Sequence, residues 1–383
     1  MSRGTLAWII SCGTVALAVT VILALWSTGV LSFKTAPSQA PSNNNGPVAE
    51  DVMTAEEASI DFLDNWVDGD GRVVRRDQGG DTVSEGQAYG LLIALGADDE
   101  GRFDAIWRWT QSNLLRHDGL LAWRWQDGEI VDNEPASDAD VDAARALVLA
   151  GSHFDRPDLT EAGNSLAGAV MDSMTAQTPL GRILLPGVWA AGGPDYDYNP
   201  SYASPVSFGV LAESTGDARW AELRAGGTAV TAALLTRSPL PPDWAQVTGV
   251  GDVNAMPGAA GKGEDVRYSY DAARLPLRFA ESCLEEDRRL AAQMLPPLTR
   301  EDHLPVALDL GGTALNSDEH PIAYLARAAA AASAGNASKA TDDVGRASDM
   351  AQQYGTYYGA AWTALGKLML ETTTLGGCAP LTN

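Results

Sequence analysis

The chain has 383 residues, of which 45% are hydrophobic, enough for one large core or two domains and too apolar for bulk disorder. With 50 acidic against 26 basic residues the net charge is −24, which repels phosphate backbones. No Lys/Arg cluster interleaved with aromatics offsets that charge, so nucleic acid is excluded as a partner and a neutral or cationic substrate fits better.

Residues 4–33 carry no charged side chain, a run long enough to span a bilayer and longer than a signal-peptide core. It is read as an uncleaved signal anchor, with residues 1–34 forming a single-pass transmembrane helix. Arg3 and Lys34 flank it almost symmetrically, and the short N-terminal flank favours a cytoplasmic Met1 with the large domain extracytoplasmic. Cleavage of the segment would instead give a secreted protein. Residues 35–50, rich in Pro, Ser, Asn and Ala, read as a flexible tether, and the folded domain spans residues 51–383.

From there the apolar spacing is helical. Thr54-Ala55-Glu56-Glu57 forms a capping box ahead of a stripe of Ile60, Phe62, Leu63 and Trp66. In Ser84-Glu85-Gly86-Gln87-Ala88-Tyr89-Gly90, Ser84 is placed as N-cap with Gln87 reaching back to complete a second box, which sets Glu85 in the first turn. Further helices are expected near 84–97, 100–115, 138–154, 158–176, 203–214 and 217–236. Five more follow near 269–283, 285–295, 320–335, 336–353 and 358–373. With the first, these make twelve paired helices, an all-α toroid or barrel. Segments 120–125, 183–189 and 248–265 read as strand-like or irregular, the rim of a cleft. Trp107, Trp109, Trp220 and Trp362 fall in helical segments as core, and the alanine run 328–332 is a tightly packed helix. Trp123 and Trp125 alternate with Arg124 outside any helix, so at least one should face the cleft.

Several chemistries have no site. The four histidines stand apart from one another without metal-ligand spacing, and Asp68-Gly69-Asp70-Gly71 lacks the remaining ligands of a calcium loop and reads as a turn. No serine elbow or phosphate-cradling loop occurs, and no cofactor or metal is implied. Of the three cysteines, Cys283 and Cys378 are the only pair outside the apolar run. They read as two separate buried thiols in preference to a disulfide.

What remains is three acid-bearing stretches at helix starts, around Glu85, Asp138 and Asp271. Glycoside hydrolysis needs one carboxyl to protonate the leaving oxygen and one carboxylate to attack or to activate water. Residues 84–90 resemble the Ser-Glu-Gly-Gln-x-Tyr-Gly element of glycoside hydrolase family 8, and Tyr270-Asp271-Ala272-Ala273-Arg274 resembles its Tyr-Asp-Ala-x-Arg element. Residues 136–154 follow the family signature except at Ala143, where Ile or Met is usual. Leu184-Leu185-Pro186-Gly187, Asn199-Pro200-Ser201-Tyr202 and Pro242-Asp243-Trp244 match in order. The resemblance covers residues 55–370 and is nearest to the endoglucanases associated with bacterial cellulose synthesis.

It implies an (α/α)6 barrel and an inverting, endo-acting hydrolase of β-1,4-glucan, either cellulose or mixed-linkage glucan, with a polysaccharide synthase complex as a partner. Glu85 would be the general acid, Asp271 the base, and Asp138 the residue that holds the reacting sugar. Tyr202 and Arg274 would orient Asp271 and its water, and Tyr89, Trp123 and Trp125 would be sugar platforms. Xylanase or chitosanase specificity remains open, the latter favoured by the acidic charge, as does a non-catalytic glycan-binding or scaffold protein.

Overall fold

Thr54 starts the first helix, α1 (Ala55–Trp66), in the computed structural model, which describes residues 53–382. The apolar run 4–33 and the linker 35–50 lie outside the described residues, and no helix among those described is long and apolar enough to cross a membrane. The capping box at Thr54 forms as expected, with Thr54 Oγ1 accepting from the Glu57 N–H at 3.1 Å and Glu57 Oε2 from the Thr54 N–H at 2.7 Å. Phe62, Leu63 and Trp66 are buried, but Ile60 is 42% exposed. Ile60 stands about 200° round the helix from Phe62 and so falls off the stripe.

The other helices, in chain order, are α2 (Ser84–Gly96), α3 (Glu100–Asn113), α4 (Ser137–His153), α5 (Pro157–Ser173), α6 (Pro205–Thr215) and α7 (Arg219–Arg237). They continue as α8 (Arg274–Ala280), α9 (Glu285–Gln293), α10 (Leu295–Leu298), α11 (Pro321–Ser333), α12 (Ala337–Tyr354) and α13 (Tyr357–Glu371). Of these thirteen among the described residues, the single-turn α10 is the one the sequence did not predict.

Six of them close a ring. α2 packs on α4, α4 on α6, α6 on α8, α8 on α11, α11 on α13, and α13 returns to α2. Outside it, α1 covers α2 and α13, α3 covers α2, α5 covers α4, α7 covers α6, α9 covers α8 and α11, and α12 covers α11 and α13. Burial follows the layers. α13 is buried continuously from Gly359 to Leu370, whereas α12 buries only the stripe Ala340, Asp343, Val344, Ala347 and Ser348. A helix apolar all round belongs inside and an amphipathic one outside, so the pattern of side chains sets the layer. Trp107, Trp109, Trp220 and Trp362 are buried as expected, as are Ala328, Ala329, Ala330 and Ala331 in α11.

Three small antiparallel sheets modify the all-α expectation. They are β1 (Thr82–Val83), β2 (Arg124–Gln126) and β3 (Glu129–Asp132); β4 (Thr175–Thr178) with β5 (Gly181–Leu184); and β6 (Tyr196–Tyr198), β7 (Trp244–Val247) and β8 (Val253–Met256). All lie in connections between helices. β2 and β3 turn on Asp127 (φ 52°) and Gly128 (φ 97°), the left-handed pair that a tight hairpin demands.

Two further expectations change. The predicted helix 269–283 contracts to α8, because Pro276 in its first turn has no N–H to donate to Ala272, leaving residues 270–273 as turns. Cys283 and Cys378 form a disulfide across 95 residues of sequence. The C-terminal segment is laid over the end of α8 by the Cys378 N–H, which donates to the Glu281 carbonyl at 2.8 Å. Folding thereby brings together two thiols that sequence distance kept apart.

Candidate active site

α2 begins without the predicted capping box. β1 runs directly into the helix, the Ser84 N–H is taken by the Trp123 carbonyl at 2.8 Å, and Val83 is the N-cap. Gln87 turns inward, its Oε1 accepting from the Val73 N–H at 2.6 Å and its Nε2 donating to Thr110 Oγ1 at 2.8 Å. The buried Val73 N–H has no water to turn to, and the Ser84 N–H is already satisfied by Trp123, so the Gln87 amide goes inward. Glu85 is still in the first turn. Gly86 lets α13 approach, since a Cβ there would stand 2.8 Å from the Tyr357 hydroxyl.

Arg274, the first residue of α8 and 2% exposed, gathers the three predicted acids. Its Nη1 donates to Glu85 Oε1 at 2.6 Å and to Asp138 Oδ2 at 3.0 Å, and its Nη2 to Asp271 Oδ1 at 2.7 Å. Asp138 comes from the first turn of α4, and Asp271 from the turn before α8. His320 at the start of α11 and Tyr358 at the start of α13 line, with Glu85, Asp271, Tyr270, Thr356, Asp77 and Gln78, a cavity of about 420 Å3. Inner helices therefore aim their N-termini at the cluster, and the exposed N–H ends add partial positive charge where the acids are concentrated.

Arg274 is itself fixed from below. Its Nε donates to Ser201 Oγ at 3.1 Å, and Asn199 Oδ1 accepts from the Ser201 hydroxyl at 2.7 Å and its N–H at 3.1 Å. Asn199 Nδ2 reaches Asp271 Oδ2 at 3.2 Å. In Asn199-Pro200-Ser201-Tyr202 the hydrogen bonds thus come from Asn199 and Ser201. Tyr202, predicted to orient Asp271 and its water together with Arg274, lies with its ring 5.3 Å from the Arg274 guanidinium carbon.

The platform assignments divide. Tyr89 is 1% exposed and donates to Glu85 Oε1 at 2.8 Å, so it is a buried partner of the acid and not a sugar platform. Four residues after Glu85, it lies one turn deeper on the same face, edge-on to Trp362 at 5.5 Å. Burial pushes its hydroxyl well above the usual range, keeping it a neutral donor. Trp125 packs edge-on to Trp109 at 5.3 Å with Arg72 over its ring at 4.6 Å, while Trp123 is 36% exposed. Of the alternating pair, Trp123 is the ring left open. Sequence reasoning missed Tyr270, Tyr358 and His320. Tyr270 could have been found beside Asp271, but the other two come from remote helices with no local signal.

Burial, then the charge of Glu85, raises the Asp138 carboxyl well above its ordinary range, with Arg274 pulling it down. Burial also raises Asp271, against Arg274, Asn199 and Trp244. Three carboxyls around one guanidinium leave an excess of negative charge, so their protonation is linked. Among the described residues no group of three or more His, Cys, Asp or Glu side chains is placed to share a metal ion.

Comparison with known proteins identifies the family. Residues 48–372 match the family described as glycosyl hydrolases family 8. A probable endoglucanase of Novacetimonas hansenii is 34% identical over 272 residues, covering 67% of this chain and 76% of the relative. The structure of an endo-β-1,4-glucanase from Acetobacter xylinum superposes with a TM-score of 0.69 at 26% identity, covering 83% of this chain and 98% of the other. A β-1,3-1,4-glucanase from Paenibacillus sp. X4 shares the fold with a TM-score of 0.74 at 20% identity, covering 85% of this chain and 92% of the other. With its acids assembled on one arginine at the mouth of a helical ring, and a family match running through all three of them, the chain belongs to family 8 of the glycosyl hydrolases.

Proposed function

We propose that the protein is an inverting endo-β-1,4-glucanase acting on cellulose or mixed-linkage glucan, with Glu85 as general acid, Asp271 as base and Asp138 holding the reacting sugar. The observation that carries this reading is the convergence of all three carboxyls on Arg274. Arg274 and Tyr89 both occupy Oε1 of Glu85, which leaves Oε2 to carry the proton delivered to the glycosidic oxygen. Asp271, with its side chain 34% exposed and anchored by Arg274 and Asn199, accepts a proton from water as the water oxygen bonds to the anomeric carbon. The bond from that carbon to the leaving oxygen breaks as Glu85 gives up its proton, and solvent exchange restores both groups. Asp138 Oδ1 is buried without a protein partner, an acceptor suited to a sugar hydroxyl between the two.

The relatives named endoglucanases support glucan as substrate. Reducing ends released from carboxymethylcellulose, lichenan, xylan and chitosan test it, with activity confined to the first two expected. Preference for xylan or chitosan would replace the specificity, and inactivity on all four would favour a binding or scaffold protein. Proton NMR of early digests is expected to show the α anomer first, whereas β product appearing first would require Asp271 to be a nucleophile.

We also infer that residues 4–33 anchor the enzyme in the cell membrane with the catalytic domain outside, where it could serve a polysaccharide synthase. The disulfide supports an oxidising compartment. Resistance to carbonate extraction, with the domain open to external protease, is the expected result. A soluble form lacking the apolar run would replace the anchor with a cleaved signal.

A further inference from the structure

Asp243 stands immediately before β7 and is 9% exposed, yet neither the acid chemistry nor the core packing accounts for it. Its Oδ1 accepts the N–H of Ser269 at 2.7 Å and of Ala272 at 3.0 Å, one on each side of Asp271. Its own N–H donates to the Arg267 carbonyl at 2.8 Å, so the same residue grips the approach to this turn as well. Pro276 has no N–H to give the Ala272 carbonyl, so α8 starts only at Arg274, and the turn keeps the Ala273 N–H on the Ser269 carbonyl at 2.9 Å and the Arg274 N–H on the Asp271 carbonyl at 3.0 Å. One Asp243 oxygen takes two further N–H groups of the same turn. The next residue, Trp244, is the first of β7, bears on Asp271 and lies 6.5 Å from the Tyr202 ring.

We propose that Asp243 is the positioning residue for Asp271, clamping from both sides the turn that carries it. This rests on Asp271 being the base. Burial, then the charge of Asp271, pushes the Asp243 carboxyl up to about 6 against the pull of the Ala272 and Ser269 N–H groups and Arg267. The charged and titratable groups facing Asp243 are Arg267, Asp271 and the Tyr268 hydroxyl. Those facing Asp271 are Arg274, Glu85, Asp138, Tyr202 and Tyr358.

Two variants test the clamp. Asp243→Asn keeps an oxygen for both N–H groups, whereas Asp243→Ala removes the acceptor. For Asp243→Ala, kcat on carboxymethylcellulose is expected to fall about 100-fold or more with KM within about two-fold, and Asp243→Asn is expected to bring kcat back to within about ten-fold of the wild-type enzyme. A folded Asp243→Ala enzyme with wild-type kcat overturns the proposal, as does a loss carried by KM or an Asp243→Asn enzyme as slow as Asp243→Ala. Asp271→Asn is the control. Hydrolysis surviving in that variant removes the base assignment itself, while an inactive Asp271→Asn beside an undiminished Asp243→Ala removes only the role of Asp243.

Discussion

Glu85 receives two donors on one oxygen, so removing its proton while keeping its shape is a clean test of the acid. Glu85→Gln is expected to lower kcat/KM by about 100-fold to 10,000-fold, with cello-oligosaccharide affinity by calorimetry within a few-fold. Substantial residual hydrolysis would falsify the assignment. A second test lies two residues from Asp138, about half a turn round α4, at Asp140, which is fully buried with Oδ2 unpartnered and Oδ1 accepting the Leu121 N–H at 2.8 Å. Burial holds its carboxyl well above the ordinary range. The native state therefore keeps this proton after the unfolded chain has lost it, and the stability contributed is complete below pH about 4 and lost as pH rises above that. Asp140→Asn should thus melt higher than the wild-type protein at pH 7, with the gap closing towards pH 4. A gap independent of pH would show that the Asp140 carboxyl ionises in the native state as it does in the unfolded chain. The three acids were legible from sequence because each stands in a short motif that resembles an element of the family, although the capping box predicted at Ser84 does not form and Asp271 lies in the turn before α8. Tyr89 and Gln87 were misassigned because their partners, Glu85 and Val73, are chosen by the direction in which the backbone points them, which local spacing does not encode.

At the scale of elements, twelve helices could be read because alternation of apolar and polar positions survives in single sequence. α8 was overextended because the effect of Pro276 depends on where the helix starts. The rim sheets escaped precise placement because strands of two to four residues carry too little pattern. Close approach between elements was likewise hidden. α7 packs on β5 through Gly226, where a Cβ would stand 1.9 Å from the Arg182 carbonyl oxygen. Backbone cannot retreat as a side chain would, so Gly226→Ala is expected to destabilise by about 1 to 3 kcal/mol despite the better helix propensity of alanine. Thermal melts check this, and an unchanged or raised Tm would mean that β5 moves aside freely.

Across the whole molecule, the disulfide ties the tail to the end of α8 beside a buried ion pair. Arg145 of α4 donates to both oxygens of Glu281, at 3.0 and 2.7 Å, and to the Leu375 carbonyl. The cross-link spans 95 residues of sequence, so its loss should cost about 2 to 5 kcal/mol. Reductant should lower the Tm of the wild-type protein to that of Cys283→Ser and leave the variant unmoved. A wild-type Tm insensitive to reductant would show that the tail is held by the Arg145 network alone. The sequence left Cys283 and Cys378 as the one candidate pair outside the apolar run, but two cysteines do not announce which fold will bring them together.

The return of α13 to α2 has a consequence for how such a protein can change over generations. Open stacks of helix pairs lengthen by duplicating a unit and need specialised capping units at each end. A closed ring has no end to cap and no place to add a pair without parting a packed seam, so the number of pairs is frozen. Inheritance can experiment only in the connections, where the three small sheets already sit. Diversification in a scaffold of this kind is therefore an affair of hairpins and loops, with the helices transmitted nearly as a fixed frame.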